Sequence, residues 1–431
     1  MTPALFALLL AAGDPPAAQP KPVAATRAEE KELLEAHKSA IPRLPMPTAV
    51  EDGPWSKVNN GRFRQFYLPK EFLFGGLGGR DKDPAETLDP TFKVKLFWVV
   101  SRANNCYYCL GHQEHKLQAA GVSDDGIAAL DSDWAVFTPA ERAALAFTKT
   151  LTYQPHELTA ADVAGLKTHY TPAQVLELVV AVAGFNSMNR WTDGLNIPGE
   201  EDGNFFKKAG GPDLGTFKTP TSAKYAAARS QVAALPADAA KTCAVSWPTR
   251  PALESRAVVE EQLQAARTRA AVLPLADVPA DWNRPAATPN WVKLLATFPK
   301  AGKARADGVT ACADKGSLSP RLKAAVAWVT AREDRAWYAV AVARDRLRAV
   351  GLTDDQVFAL DGGAADLPPA ERAAVAFARK LAVSSALVTD ADVAGLRGPF
   401  TDKQVAEIVH QVCTAAFFDR VTEAARLPLD K

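Results

Sequence analysis

Two cysteines and a histidine are spaced so that one face of a helix could carry all three. Cys106, Cys109 and His112 follow one another at intervals of three residues, directly after two asparagines that can cap a helix. Side chains three residues apart lie on the same side of an α-helix. Because a helix N-terminus and a nearby imidazolium both stabilise a thiolate, this spacing favours a dithiol redox site with its own base.

A dithiol of this kind can reduce a peroxide. One thiolate attacks the O–O bond and becomes a sulfenic acid, and the other thiol then condenses with it to form a disulfide and water. A zinc site needs four ligands, and the sequence has no second close pair of cysteines or histidines. Haem attachment needs histidine directly after the second cysteine, where Leu110 stands. We therefore expect neither a metal nor a cofactor at this site.

The segments that must position these side chains carry helical signals, so the predicted fold is all-α. The helix that holds the cysteines is expected to begin near Asn104 and to end at Gly121, a residue type that often follows the last helical turn. Thr138 and Thr171 each begin a capping box with proline at the first helical position, and the second box opens a long helix to about Arg190. No segment shows the alternation of a half-buried strand.

The chain repeats itself at an interval of 230 residues, which predicts a tandem duplication. Three segments return at this interval: 117–125 as 347–355, 139–144 as 369–374, and 162–166 as 392–396. We expect a first helical domain at 27–209 and a second at 246–431. Residues 210–245, which are rich in Gly, Pro, Ala and Thr, are expected to link them.

The second copy keeps the helical signals and loses the dithiol. At the positions of Cys106, Cys109 and His112 it has Ala336, Ala339 and Val342. These three side chains are therefore not needed to build the fold, which favours a chemical role for them.

The end of the long helix changes in the same way. Asn186 and Asn189 become Ala416 and Asp419 in the second copy, whereas Arg190 persists as Arg420. We take the two asparagines as candidate substrate-pocket residues. Tyr107 and Tyr108, between the cysteines, are further candidates, with aromatic packing as their alternative role. Arg190 is expected to be structural, in a buried ion pair with Glu141 or Glu177.

Composition bounds the classes of partner. The 431 residues have a formal net charge of +1, with 48% hydrophobic and 23% charged residues, an ordinary globular mixture. This balance gives no indication of nucleic-acid binding. No apolar run reaches the length of a membrane span. Cys243, Cys312 and Cys413 are expected to be small core residues, although an exported chain could form a Cys243–Cys312 bridge.

The first 26 residues are expected to lie outside the fold. Met1–Ala12 is apolar and is followed by a short segment of small residues and prolines at 13–18, as in a secretory signal, although a basic leading segment is missing. We expect export to the periplasm or another extracytoplasmic compartment, with a cytoplasmic location as the alternative.

The chain resembles the carboxymuconolactone decarboxylase and alkylhydroperoxidase D-like family in three segments. These are residues 105–112, the helix to Gly121 and the Pro-Ala-Glu-Arg segment after it. Residues 186–191 also resemble that family. The similarity extends over 88–198 and, in degenerate form, over 318–427. The resemblance implies a compact all-helical domain that assembles into dimers, trimers or hexamers. Here we expect the two copies to form an internal pseudo-dimer, with further homo-oligomers as an open question.

In the peroxidase branch of that family, the resemblance implies that Cys109 attacks the peroxide and that Cys106 resolves the product and exchanges with a thiol reductant. Two features differ from that branch. Gln113 occupies the expected histidine position, with His112 one residue earlier, and no acid lies near Val94, where the branch has a relay glutamate.

Glu114 and His115 are the candidates in the sequence for the missing proton relay. The predicted function is thiol-dependent reduction of a hydroperoxide. Two alternatives stay open: a non-enzymatic helical interaction or oligomerisation module with a vestigial dithiol, and a lyase like carboxymuconolactone decarboxylase.

Overall fold

A computed structural model of the chain describes residues 21–48, 56, 58–73, 83–131, 134–200, 251–285, 287–363 and 367–430. Within these ranges the chain forms 17 α-helices and no strand, which confirms the all-α prediction. No helix in these ranges is both long enough and apolar enough to cross a membrane. The apolar start of the predicted leader, the predicted linker and Cys243 lie outside the described residues.

The helices fall into two series. The first series is α1 (Arg27–His37), α2 (Asn59–Tyr67), α3 (Pro90–Asn104), α4 (Tyr107–Ala119), α5 (Asp124–Ala129), α6 (Pro139–Tyr153), α7 (Ala160–Lys167) and α8 (Pro172–Gly194). The second is α9 (Arg256–Thr268), α10 (Asn290–Leu295), α11 (Ala301–Asp314), α12 (Pro320–Asp334), α13 (Trp337–Ala349), α14 (Asp354–Ala359), α15 (Pro369–Val383), α16 (Asp390–Arg397) and α17 (Asp402–Ala424). Helices α3 to α8 return as α12 to α17, each shifted by 230 residues and unchanged in length.

The turn between α3 and α4 places the cysteines. Asn105 adopts a left-handed conformation with φ of 53°, and the Cys106 amide donates to the Ser101 carbonyl at 2.9 Å. The asparagines therefore close α3, and Cys106 itself is the N-cap of α4. Arg335 has the same conformation, with φ of 50°, in the second copy. The sharp turn thus belongs to the scaffold and does not depend on the thiols.

The long helices α8 and α17 pack against each other and carry a reciprocal contact. Arg190 donates to the Ala382 carbonyl at 2.9 Å, and Arg420 donates to the Thr152 carbonyl at 2.8 Å. Each donor and each acceptor is shifted by 230 residues from its counterpart. The same patch is used on both copies, as in a two-fold interface.

Arg190 was expected to pair with Glu141 or Glu177, and the structure corrects this expectation. Glu141 instead pairs with Lys95, and Glu177 pairs with Lys93, both at 2.8 Å. Each copy's arginine instead donates a hydrogen bond to a backbone carbonyl of the other copy.

Residues 21–26, which the sequence analysis placed in a leader outside the fold, form a strap against α3, α4 and α8. Asn105 Nδ2 donates to the Pro22 carbonyl at 2.7 Å, and Lys21 pairs with Asp193 at 2.9 Å. The extended backbone supplies acceptors to donors at the end of α3, so the fold begins before residue 27. In the second copy Arg335 likewise donates to the Pro251 carbonyl at 2.8 Å.

Candidate active site

The two thiols meet in the interior. Cys106 and Cys109 lie 3.0 Å apart without forming a disulfide. Cys106 is fully buried and Cys109 is 2% exposed. The hydroxyl of Thr192, on α8, lies 3.2 Å from the Cys106 sulfur and 3.4 Å from the Cys109 sulfur. A third polar group is therefore held against both sulfurs.

The two thiols have opposite pKa shifts. Burial raises the pKa of Cys106 well above its usual value. Burial also acts to raise the pKa of Cys109, but hydrogen bonds from Cys106 and Thr192, with a smaller effect of the His112 charge, outweigh it and lower the pKa. The arrangement therefore favours a Cys109 thiolate that accepts a hydrogen bond from the Cys106 thiol. Asp193 opposes ionisation of both.

His112 is held between two acceptors. Its Nδ1 lies 2.9 Å from the Tyr108 carbonyl, and its Nε2 lies 3.0 Å from Glu200 Oε2. A histidine donates from both nitrogens only as the imidazolium. The other oxygen of Glu200 accepts from the Tyr108 hydroxyl at 2.8 Å and from the Asn59 amide at 2.8 Å.

Charge pairing outweighs burial at both members of this pair. Burial acts to lower the pKa of His112, yet the charge of Glu200 and the hydrogen bond to it raise that pKa above its ordinary value. Burial acts to raise the pKa of Glu200, yet the positive charge of His112 brings it down to about 2. The two groups therefore form a charged pair that stores a proton beside the dithiol helix.

Glu200 was not among the residues expected at the site. The signal that could have found it is the acid at the corresponding place in the second copy. There Asp430 accepts from the Tyr338 hydroxyl and, at 2.8 Å, from the Asn290 amide. The acid therefore belongs to the scaffold in both copies, and only the first copy adds a histidine to it.

Glu114 and His115, the candidates for the proton relay, are placed elsewhere. Glu114 is fully buried and pairs with Arg27 at 3.0 Å and with Lys31. His115 is also buried, and burial lowers its pKa to about 4. The glutamate is thus engaged with α1 and the histidine is held neutral. Glu200 supplies the acid next to His112 instead.

Tyr107 and Tyr108, the first two residues of α4, are held by different neighbours. Tyr107 donates to the Pro22 carbonyl, and Lys21 lies 4.2 Å from the centre of its ring. The Tyr108 ring lies 4.4 Å from that of His112. Both tyrosines therefore fix their surroundings through hydroxyl contacts. Their assignment to a substrate pocket stays a prediction.

Asn186 and Asn189 lie in a buried amide network beneath the end of α3. Asn104 Nδ2 donates to Asn186 Oδ1 at 3.1 Å and to Asn189 Oδ1 at 3.0 Å. Asn186 in turn donates to the Thr152 hydroxyl at 3.2 Å. The network sits one residue from the Asn105 turn and supports it. A substrate contact of either asparagine remains a prediction.

Arg64, on α2, is a further charge near the thiols. It is buried and lies 4.9 Å from the centre of the Trp191 ring. Burial lowers its pKa to about 10, and the opposing charge effects come from Cys413 and Cys109. The sequence signal was available, because the second copy has Leu294 and Leu295 around the corresponding place.

A cavity of about 330 Å³ opens beside the first copy. Phe97 and Phe185 form part of its wall, with their rings stacked at 4.2 Å. Lys116 also lines the cavity, and the charge of Cys109 acts on its ammonium group. The stacked rings and Lys116 therefore form part of the cavity wall.

In the part of the chain that the structure describes, no group of three or more His, Cys, Asp or Glu side chains could hold a metal ion. Cys312 and Cys413 are buried free thiols, and burial raises the pKa of each to about 12. No protein-family model matches the chain, and no curated protein matches it.

Proposed function

We propose that the chain is a thiol-dependent peroxidase in which Cys109 attacks a hydroperoxide and Cys106 resolves the product. The observation that carries the proposal is the asymmetry of the two thiols: at 3.0 Å apart, one has a lowered pKa and its neighbour has a raised pKa. A peroxidatic cysteine must be a thiolate, whereas a resolving cysteine must keep its proton until the sulfenic acid forms.

The reaction balances with the groups present. The Cys109 thiolate attacks the distal peroxide oxygen, so that an S–O bond forms, the O–O bond breaks and an alcohol leaves with one proton from the Cys106 thiol. The Cys106 thiolate then attacks the sulfenic sulfur, forming the disulfide and expelling hydroxide, which takes a second proton to become water. A thiol protein or small thiol returns two electrons and two protons.

The second proton is proposed to come from His112. Its positive charge acts on Cys109, and Glu200 holds it protonated. The resemblance to the alkylhydroperoxidase D-like family supports the same roles for the two cysteines, with attack by Cys109 and resolution by Cys106. We propose that Glu200 takes the role of the relay glutamate that is absent near Val94.

Mass spectrometry after exposure to hydrogen peroxide tests the proposal. We expect a Cys106–Cys109 disulfide in the unaltered protein and a trapped sulfenic acid on Cys109 in Cys106→Ser. Cys109→Ser should leave Cys106 reduced. Cys312→Ser and Cys413→Ser, which remove thiols of raised pKa, are the matched controls and should behave like the unaltered protein. Intact Cys106 and Cys109 thiols in folded, peroxide-treated protein would refute the proposal.

The burial of both thiols favours a second candidate, a non-enzymatic helical module with a vestigial dithiol. In that case replacing both cysteines changes stability or association and leaves no peroxide turnover to lose. Activity on a lactone-like compound that survives the double replacement would instead favour the lyase.

We also propose that the two copies act as an internal pseudo-dimer. The reciprocal contacts of Arg190 and Arg420 support this arrangement. Gel filtration with light scattering distinguishes a monomeric chain, in which the internal pairing suffices, from a further homo-oligomer.

A further inference from the structure

The second copy has a cavity of about 60 Å³ that reaches Ala339, the counterpart of Cys109. Three alanines create much of the space. Ala327, Ala339 and Ala415 line the cavity, and at these positions the first copy has Phe97, Cys109 and Phe185. A cavity left by lost side chains alone would have an apolar wall.

This cavity also contains a buried carboxyl group. Asp419 lines it and is 1% exposed, and its Oδ2 has no hydrogen-bond partner among the described residues. In the first copy the same position is Asn189, which accepts a hydrogen bond from Asn104. Asn104 becomes Asp334, which has no donor to offer and is bound by Arg420 at 2.7 Å. Asp419 therefore faces the cavity with unused bonding capacity, which is costly unless something fills it.

The cavity has cationic groups on another side. Lys323 is buried, donates to the Lys315 carbonyl and lies 3.4 Å from Glu407. Arg346 lines the cavity and is exposed at its rim, where the charge of Asp314 also acts on its guanidinium. Of these two cations, Lys323 is already paired with Glu407, so we expect an anion to bind at Arg346.

We propose that this cavity binds a small organic carboxylate that carries a hydroxyl group, with the carboxylate at Arg346 and the hydroxyl at Asp419. Burial, with Asp334 nearby, raises the pKa of Asp419 well above its usual value, so that its carboxyl both donates and accepts. A hydroxyl matches both roles, whereas an ammonium can only donate. One water needs roughly 10–15 Å³ of such space, so the volume suits a ligand of about five non-hydrogen atoms.

Glycolate is the probe, and its binding to the full chain is followed by broadening of its own NMR signal. Acetate, which lacks the hydroxyl, and glycolamide, which lacks the charge, are the comparisons. We expect saturable binding of glycolate, and binding at least about fivefold weaker for each comparison, since each loses one of the two polar contacts.

Three variants locate the site. Arg346→Gln changes an exposed rim residue and should weaken glycolate binding by about fivefold or more. Ala339→Leu fills the cavity and should abolish binding. Lys116→Gln is the matched control, because residue 116 is the first-copy counterpart of 346, and it should bind glycolate as the unaltered protein does.

The proposal is overturned if the unaltered protein does not broaden the NMR signal of glycolate. The cavity would then hold only water. It is also overturned if Arg346→Gln binds with unchanged affinity. Should Ala339→Leu fail to fold, the rim variant still decides the question. These outcomes do not depend on whether the dithiol reduces peroxides.

Discussion

At the scale of single residues, Thr192 contributes to the lowered pKa of Cys109. Its hydroxyl lies within 3.4 Å of both thiols and is one of the two hydrogen-bonding groups that lower the pKa of Cys109. A hydrogen bond to a charged group contributes about 1.5–3 kcal/mol, which is roughly one to two pKa units.

Thr192→Val should therefore raise the pKa of Cys109 and slow its reaction with hydrogen peroxide near neutral pH by about tenfold or more. The rate is measured as a function of pH by stopped-flow fluorescence. Thr422→Val is the control. Thr422 is the second-copy counterpart of Thr192 and donates to the Phe418 carbonyl as Thr192 does to the Met188 carbonyl, but it faces no thiol pair. An unchanged pH profile in Thr192→Val would exclude this role for the hydroxyl.

His112→Gln tests the charged pair with Glu200. The pKa of His112 is raised in the folded protein. The contribution of His112 to the stability of the fold is therefore complete below about pH 6.5 and is lost as the pH rises through that raised pKa. The pKa of Glu200 is lowered to about 2. The contribution of Glu200 to the stability of the fold is therefore complete above about pH 4.5 and is lost as the pH falls towards 2.

The loss of unfolding free energy in His112→Gln should therefore be largest between about pH 4.5 and 6.5 and smaller at about pH 9. Urea unfolding at these pH values measures it. The exposed His169→Gln is the control and should show little effect. A loss that is the same at all three pH values would mean that the pair is not charged.

Spacing along the chain was sufficient to select Cys106, Cys109 and His112, because helix periodicity brings them together locally. It was not sufficient for Glu200, which follows α8 and reaches His112 only because the chain turns back over α4. It also misjudged His115, since spacing does not reveal that α1 covers that side of the helix. Contacts that depend on how helices pack against each other leave no regular spacing of residues in the sequence.

At the scale of elements, α3 and α8 meet through the stacked rings of Phe97 and Phe185. In the second copy both positions are alanine, and there the cavity extends to Ala339, the counterpart of Cys109. If Cys109 reacts with peroxides as proposed, we therefore expect the two rings to limit the approach of a bulky peroxide to its sulfur.

Phe97→Leu should increase the rate of Cys109 oxidation by cumene hydroperoxide relative to that by hydrogen peroxide, by about threefold or more if steric access is limiting. Stopped-flow fluorescence with the two oxidants gives the ratio. Phe92→Leu, which alters the stacked pair with Tyr170, is the matched control. An unchanged ratio would show that access does not depend on these rings.

Helix starts could be predicted closely where a capping box was present. Helices α6 and α8 begin at Pro139 and Pro172, directly after the threonines that were expected to cap them. The start of α4 was less accessible. Asn105 resembles a capping residue, but in the structure it forms the left-handed turn that ends α3, because asparagine suits both roles.

At the scale of the whole molecule, the reciprocal arginines join the copies. Arg190 is buried, and its removal leaves the Ala382 carbonyl without its donor. Arg190→Gln should lower the free energy of unfolding by about 1.5–3 kcal/mol, as expected for the loss of a buried hydrogen bond from a charged group.

Urea unfolding measures this loss. Arg321→Gln, which removes an exposed ion pair with Glu371, is the control and should cost less than about 1 kcal/mol. Equal effects of the two substitutions would argue against a joining role for Arg190.

The 230-residue repeat made the second series of helices predictable from the first, helix by helix. The contact between α8 and α17 could not be predicted, because a sequence repeat indicates similar elements and not how they face each other. The strap at 21–26 was missed because small residues and prolines are typical both of leaders and of extended segments that pack against a fold.

The reciprocal contact of Arg190 and Arg420 has a consequence for how this protein can change over generations. In a dimer of identical chains, every substitution appears twice, and an altered pocket on one side is necessarily altered on the other. Joining the two halves in one chain removes that constraint, because a substitution in one half is not copied into the other. Each half nevertheless always has its partner, since both belong to the same chain. One half can then keep a pair of thiols while the other acquires Asp419, with the shared interface maintained by both.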